Sequence, residues 1–451
     1  MPESATQAHT HHLDQFSAAL DAGTLKPVRK MLNALLPGEI AHLLESLPPT
    51  ERELVWNLVD PALEGEVLVE LVDEVRSGLV RNMDTAELVA ATEGLEVDDM
   101  ADLIQNLPAT VTQKILQLMD YRDRQRLDTV LQYNEDTAGG LMNTDTVTVR
   151  ADVPVDVVLR YLRQRGELPT HTDSLFVVTR DEKYLGMLPL DTLVTNNPER
   201  TVAEIVDTSV PAISVDMPSI EVAQLFENRD LISAPVTDEN QTLLGRITID
   251  DVVDVIREEA EKNIMGHAGL DEDDDIFAAV LPSTQRRAIW LGINLLTAFL
   301  AAWVIGQFQA TLQKVIALAV LMPIVASMGG IAGTQTMTLV IRGIALGQIG
   351  KSNTRWIFYK EAAVGFLNGL IWALVVALVT VVWFKDLQLG GIIAAAMIAN
   401  LLIAALAGVI IPVTMRKIGI DPALAGGVVL TTVTDVTGFM VFLGLATILL
   451  R

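Results

Sequence analysis

No cysteine occurs among the 451 residues, so neither a disulfide framework nor a thiolate metal site can be built from this chain. Histidine is scarce too, six in all, and His9, His11 and His12 fall in a polar opening stretch that reads as a tail. Basic residues are the third shortage: 32 Lys and Arg stand against 57 Asp and Glu, for a net charge of −25. Such a field repels nucleic acid and anionic membrane surfaces and concentrates cations. The opening residues carry no apolar run of the signal-peptide kind, which leads us to expect the soluble part in the cytosol.

Charge and hydropathy divide the chain. Mean hydropathy is +0.38 despite the acidity. From Ser283 onward eleven basic residues accompany only four acids (Glu361, Asp386, Asp421 and Asp435). Residues 1–282 therefore hold 21 bases and 53 acids, a net of −32. An acidic soluble part precedes a weakly basic membrane part.

Within the soluble part, residues 13–136 show apolar positions at three- and four-residue spacing, with Pro at helix starts. Ala41–Asp60 (AHLLESLPPTERELVWNLVD) repeats as Ala101–Asp120 (ADLIQNLPATVTQKILQLMD), each with a Leu-Pro step that ends one helix and opens the next. Repeated helix pairs predict a small solenoid over 1–136. A second repeat spans 137–257: DSLFVVTRDEKYLGMLPLDTLV is answered by SAPVTDENQTLLGRITIDDVV, with Leu185-Gly186 and Leu244-Gly245 in matching places. This strand–helix order resembles a tandem pair of CBS domains, an α+β module that commonly binds adenosyl nucleotides. A charged connecting helix and the acidic run Asp271–Asp275 fill 258–282. Around the helix start, Asp251, Asp254, Glu258 and Glu261 are spaced three, four and three apart, on one helical face.

Five apolar segments follow, at about 288–307, 315–341, 362–384, 390–415 and 422–450, so residues 283–451 read as a five-helix transmembrane domain. With the N-terminus inside, eight basic residues face the cytosol against Lys314, Lys385 and Arg451 outside, and an odd number of spans leaves the C-terminus outside. Asp435 is the single ionisable residue within the last segment and sits too deep to snorkel. Thr431, Thr432, Asp435 and Gly438 fall at i−4, i−3, i and i+3, one polar stripe. The second segment carries Pro323, Gly329, Gly330 and Gly333, followed by Gln335, whose amide needs partners at that depth. Two polar faces in an apolar bundle suggest a shared hydrated path. Carboxylate, hydroxyl and amide make an all-oxygen set suited to a hard, hydrated cation. One acid in the spans, with no His, Cys or metal-ligand cluster, argues against an enzyme.

The whole order of domains resembles the MgtE family of magnesium channels. Asp421-Pro422-Ala423, then Thr431-Thr432-x-x-Asp435-x-x-Gly438, is similar to its most specific motif, and Gly329-Gly330-x-x-Gly333-x-Gln335 to another. Two positions depart: Ile331 where the family usually has Asn, and Val428 where it usually has Pro. The resemblance implies a homodimeric Mg²⁺-selective channel in the inner membrane. Its pore and selectivity residues would be Asp435, Thr431, Thr432, Gly438, Gln335 and Asp421. Cytosolic Mg²⁺ would close it at a second metal set, for which the candidates are Asp98, Asp102 and Asp230 opposite Asp251, Asp254, Glu258 and Glu259. An adenine nucleotide at the CBS pair is a further implied ligand. The rival reading is an ion-coupled secondary transporter of divalent cations (Mg²⁺ or Co²⁺). No clear inverted repeat among five spans speaks against it.

Overall fold

A computed structural model describes residues 25–105, 107, 109–119, 121–266, 268–270, 275–350 and 353–450. The histidine tail and Asp271–Asp274 of the acidic run lie outside them. The chain forms two compact units: residues 1–260 with 273–279, and residues 261–272 with 280–451.

The first unit opens with short helices: α1 (Leu25–Leu32), α2 (Pro37–Glu45), α3 (Pro49–Trp56), α4 (Glu64–Val69), α5 (Asp73–Val80), α6 (Thr85–Thr92), α7 (Val97–Gln105), α8 (Ala109–Leu118) and α9 (Tyr121–Val130). The sequence repeat maps onto the pairs α2–α3 and α7–α8, each broken at its Leu-Pro step because proline tolerates only the first helical turn. Asp84 caps α6 by accepting from the amides of Ala86 and Glu87 at 2.7 and 2.9 Å, while Glu87 accepts from the Asp84 amide at 2.8 Å. Gly65 lets α4 touch α6, since a Cβ there would lie 1.9 Å from the Ala91 carbonyl oxygen. Arg52 is buried; it donates from Nε to the Leu44 carbonyl (2.9 Å) and pairs through Nη2 with Asp275 (2.8 Å), whose own amide donates to Glu74 (2.9 Å). The last residue of the acidic run is thus folded into the helical repeats.

Two three-stranded α+β modules follow. The first holds β1 (Thr148–Arg150), α10 (Val155–Arg165), β2 (Ser174–Val178), β3 (Tyr184–Pro189) and α11 (Leu190–Thr195). The second holds β4 (Ile213–Ser214), α12 (Ser219–Arg229), β5 (Ser233–Thr237), β6 (Leu243–Thr248) and α13 (Ile249–Gly266). In each, the first strand runs parallel to the second and the third antiparallel to it, the register of one module repeating in the other. Every position of β2 and β5 is buried, Ser174, Ser233 and Thr237 included, so neither strand shows an in–out alternation. The segment ahead of the first module pairs with the second: Asn143 and Arg246 exchange both backbone hydrogen bonds (2.8 and 2.9 Å). One apolar core accordingly runs from the helical repeats into the second module and includes Val252 and Val255 of α13. The first module has a core of its own.

The second unit contains α14 (Val280–Gly306), α15 (Gln309–Lys314), α16 (Ala317–Ala345), α17 (Thr354–Phe384), α18 (Leu387–Lys417) and α19 (Pro422–Leu449). Five of these are long and apolar enough to cross a membrane. At 27 to 31 residues they reach roughly 40–46 Å, more than a hydrocarbon core of about 30 Å requires. The helices outrun the apolar segments at their charged ends. As one result Glu361, expected just outside the third span, lies inside α17 and is buried, accepting from Thr336 Oγ1 at 3.1 Å and from Lys360 Nζ at 2.5 Å. α18 is the central helix and α14 the most exposed. Glycines set the close approaches: a Cβ on Gly365 would meet Ala405 Cβ at 2.6 Å, and one on Gly408 would meet the Gly333 carbonyl oxygen at 2.8 Å.

Candidate ion path and acidic interface

Asp435, Thr431 and Gln335 line one open groove between α16 and α19 of about 540 Å³, together with Ala326, Ser327, Gly330, Ile331 and Thr334. Helical spacing brings Thr431 and Asp435, four apart, onto the same face of α19. Ile331, one of the two departures from the family pattern, supplies an apolar wall there. The remaining members of the expected stripe are elsewhere. Thr432 turns its hydroxyl to the Val428 carbonyl at 2.7 Å. Gly438 is buried against the Asn400 side chain of α18. Thr432 is turned about 100° from Thr431 around the helix, whereas Gly438 shares the side of Thr431 two turns further along, where α18 packs against it. Asp421 does not line the groove either; it caps α19, accepting from the Ala423 amide at 2.8 Å.

The carboxylates of α7 and α13 meet in the first unit. Asp98 is buried, and burial followed by the charges of Asp99 and Glu96 pushes its carboxyl up to about 7. Its Oδ1 accepts from the Asp99 amide (3.1 Å) and from Asn143 Nδ2 (3.3 Å), which also donates to Glu96. Asp251 stands opposite: burial raises it well above the ordinary range, and Asp98 is the next cause, against hydrogen bonds from Thr248 N and Oγ1 at 3.1 Å each. Asp99 is also pushed to about 7, by burial and then by Glu96 and Asp102. Asp102 reaches about 7 through burial, with the Arg76 guanidinium opposing and Asp98 and Glu258 adding. Because Asp102 is exposed on the surface of α7, solvent screening tempers that shift and makes it the weaker contributor beside Asp98. Asp254 is raised by burial against the pull of Arg257, and its charge raises Glu70 in turn, after burial.

Six of the seven expected sensor positions thus lie on α7 or α13. Glu259 is half-buried and Glu258 exposed. Asp230 stands apart: it ends α12 in the left-handed conformation (φ 52°), exposed, and is not among the principal charges on the others. Asp99, Glu96 and Glu70 belong to the cluster without having been expected. The doublet Asp98-Asp99 at a helix start was the available clue, since both residues of such a turn can reach across. Among the described residues no three His, Cys, Asp or Glu side chains converge as a ready metal cage. The carboxylates act on one another across α7 and α13 without closing into a cage, the looser arrangement that suits a cation keeping much of its water.

Comparison with known proteins decides the family. The profile described as "MgtE intracellular N domain" matches residues 35–136, "CBS domain" matches 138–197 and 202–258, and "Divalent cation transporter" matches 322–445. A protein named Magnesium transporter MgtE from Thermus thermophilus is 32% identical over 439 residues, 96% of this chain and 97% of the relative. The chain belongs to the MgtE family. Another MgtE magnesium transporter, from Bacillus subtilis, is 25% identical over 94% of each chain. A solved structure described as the cytosolic domain of the Mg²⁺ channel MgtE in complex with ATP is 32% identical, with a TM-score of 0.49, covering 54% of this chain and 99% of that one. The two MgtE profiles fall on the helical repeats and on four of the spanning helices, and the CBS profile on both α+β modules.

Proposed function

We propose that this chain transports Mg²⁺ across the inner membrane as a channel, and that hydrated Mg²⁺ passes along the groove of Asp435. The observation that carries this reading is one carboxylate set among Thr431, Thr334, Ser327 and Gln335, deep in an otherwise apolar bundle. A charge at that depth is costly unless water and a counter-ion reach it. An amide, three hydroxyls and a carboxylate offer only oxygen acceptors to a hydrated cation, and Mg²⁺ is commonly held through retained waters. Two copies related by a two-fold axis would present two such carboxylates, a divalent site from one residue per chain. The termini would lie on opposite sides, the N-terminal domains in the cytosol.

Cytosolic Mg²⁺ would close the channel by bridging α7 and α13. What supports this is the uncompensated charge there. Asp98 is raised by burial and then by Asp99, Asp99 by burial and then by Glu96, and Asp251 by burial and then by Asp98, the condition a bridging divalent ion relieves. The CBS pair would take an adenine nucleotide, as the ATP complex of the relative's cytosolic domain suggests.

Replacing Asp435 by Asn keeps the shape and removes the charge. Mg²⁺ flux into liposomes should collapse while the protein still inserts; undiminished flux at equal reconstitution would sink the path assignment. Alanine at Asp251, Asp254 and Glu259 together should leave flux open at Mg²⁺ concentrations that shut the parent. A triple variant that closes at the parent's concentration would show the acidic helix to be a solvated face.

A further inference from the structure

Asn400 sits at the middle of α18, the helix most surrounded by others, and none of its surface reaches solvent. Its Nδ2 donates to the Val325 carbonyl of α16 at 2.8 Å. The amide orientation is dictated by chemistry, because a carbonyl can only be met by the NH₂ end. Two glycines make room for it. A Cβ on Gly329 would fall 2.3 Å from Nδ2, and a Cβ on Gly438 would fall 3.0–3.1 Å from the amide atoms. Asn400 Oδ1 has no hydrogen-bond donor among the described residues. A wholly buried amide with one end unsatisfied is costly in an apolar bundle, and packing alone would be served by Leu.

The contacts fall at telling places. Val325 directly precedes the groove residues Ala326 and Ser327, and Gly329 directly precedes Gly330 and Ile331. Gly438 is three residues, about 4.5 Å of rise, beyond Asp435 on α19. One side chain therefore touches both helices that wall the groove, from behind. We propose that Asn400 is a positioning residue of the ion path: its amide, anchored on Val325 and wedged between Gly329 and Gly438, fixes the separation of α16 and α19 and with it the size of cation the groove passes. This rests on the groove being the path.

The test measures Mg²⁺ and Ca²⁺ uptake by the full-length protein in liposomes, for the parent, Asn400→Leu, Gly438→Ala and Asp435→Asn. Asn400→Leu keeps the branch point and the number of heavy atoms, with bulkier methyl ends, and loses the hydrogen bond. Gly438→Ala presses on the same amide from the opposite helix. Both should change the Mg²⁺-to-Ca²⁺ uptake ratio by about tenfold, since displacements well under 1 Å at a positioned site have effects of that order. A lower rate with an unchanged ratio would mean a structural role alone and would overturn the proposal, as would the parent's rate and ratio. If Asn400→Leu does not fold, the ratio for Gly438→Ala decides. Loss of flux in Asp435→Asn with parental ratios in the other two removes only the role of Asn400. Full flux in Asp435→Asn removes the path itself, and this inference with it.

Discussion

Asp98 offers the sharpest test of the acidic interface, because its charge is buried and its burden can be worked out. In the unfolded chain its carboxyl ionises near the ordinary value of 3.8, in the folded chain near about 7. A folded-state value above the unfolded one contributes stability that is full below about pH 4 and lost as pH rises through about 7. Between those two values each pH step of one costs about 1.4 kcal/mol, so the interface loses roughly 2–3 kcal/mol between pH 5 and pH 8 from this group. Asp98→Asn removes that dependence and keeps the shape. The groups facing it (Asp99, Glu96, Asp251 and Asn143) are unchanged, so the pH dependence that remains is that of the raised Asp99 and Asp251 carboxyls. The assay is amide hydrogen exchange in α7 and in the first three turns of α13, on full-length protein without divalent ions, comparing variant with parent at each pH. At pH 8 the variant should exchange more slowly by about tenfold or more, because each 1.4 kcal/mol is a factor of ten. At pH 5 the two should draw together. Added Mg²⁺ should slow the parent and leave the variant nearly unmoved. Equal exchange at pH 8, or a Mg²⁺ response undiminished by the substitution, would refute the reasoning.

The other expectations concern the helical repeats. Arg52→Ala strands buried Asp275 without its partner and should destabilise this unit by about 3–5 kcal/mol, whereas Arg52→Met with Asp275→Leu should come close to the parent; denaturant unfolding of both separates a lost ion pair from a lost contact. Gly65→Ala drives a methyl into the Ala91 carbonyl and should cost about 1–3 kcal/mol in the same measurement, with a neutral result showing that α4 can slide.

Much of this architecture is legible in the sequence because it rests on patterns that local chemistry enforces. The Leu-Pro steps mark the helix pairs since proline cannot occupy a helix interior. The LFVV run of β2 announces a buried strand, while β5 is buried in spite of its Ser233 and Thr237, and a lone Asp435 in a long apolar run is conspicuous by cost alone. What stays hidden depends on neighbours far away in sequence. Asn400 is the single polar side chain between Gln388 and Thr414 of its helix, with no partner near it in sequence; its meaning comes from Val325 and from two glycines, 75 residues earlier for the first contact. Glu361 beside Lys360 looks like the polar rim of a span, and only the packing of Thr336 draws it inward. The stripe on α19 is narrower than its spacing predicts, because helical periodicity says which residues neighbour each other and not which helix they will face. Asp230 does not join the acidic face for the same reason: proximity across elements is a tertiary fact.

The pairing of Arg52 with Asp275 bears on how this protein can be cut. Its partners are 223 residues apart, and the later one follows both α+β modules and the whole of α13. A soluble fragment ended after the second module would carry every helix of the repeats and yet omit the residue that neutralises one of their buried cations. Such a fragment would hold a guanidinium with its Nε satisfied by Leu44 and its far end exposed to whatever anion the buffer supplies. Its measured stability, and its response to chloride or phosphate, would then report on the truncation as much as on the domain. Extending the boundary through Ala279 restores the native counter-charge, and the repeats would be studied as the whole chain folds them.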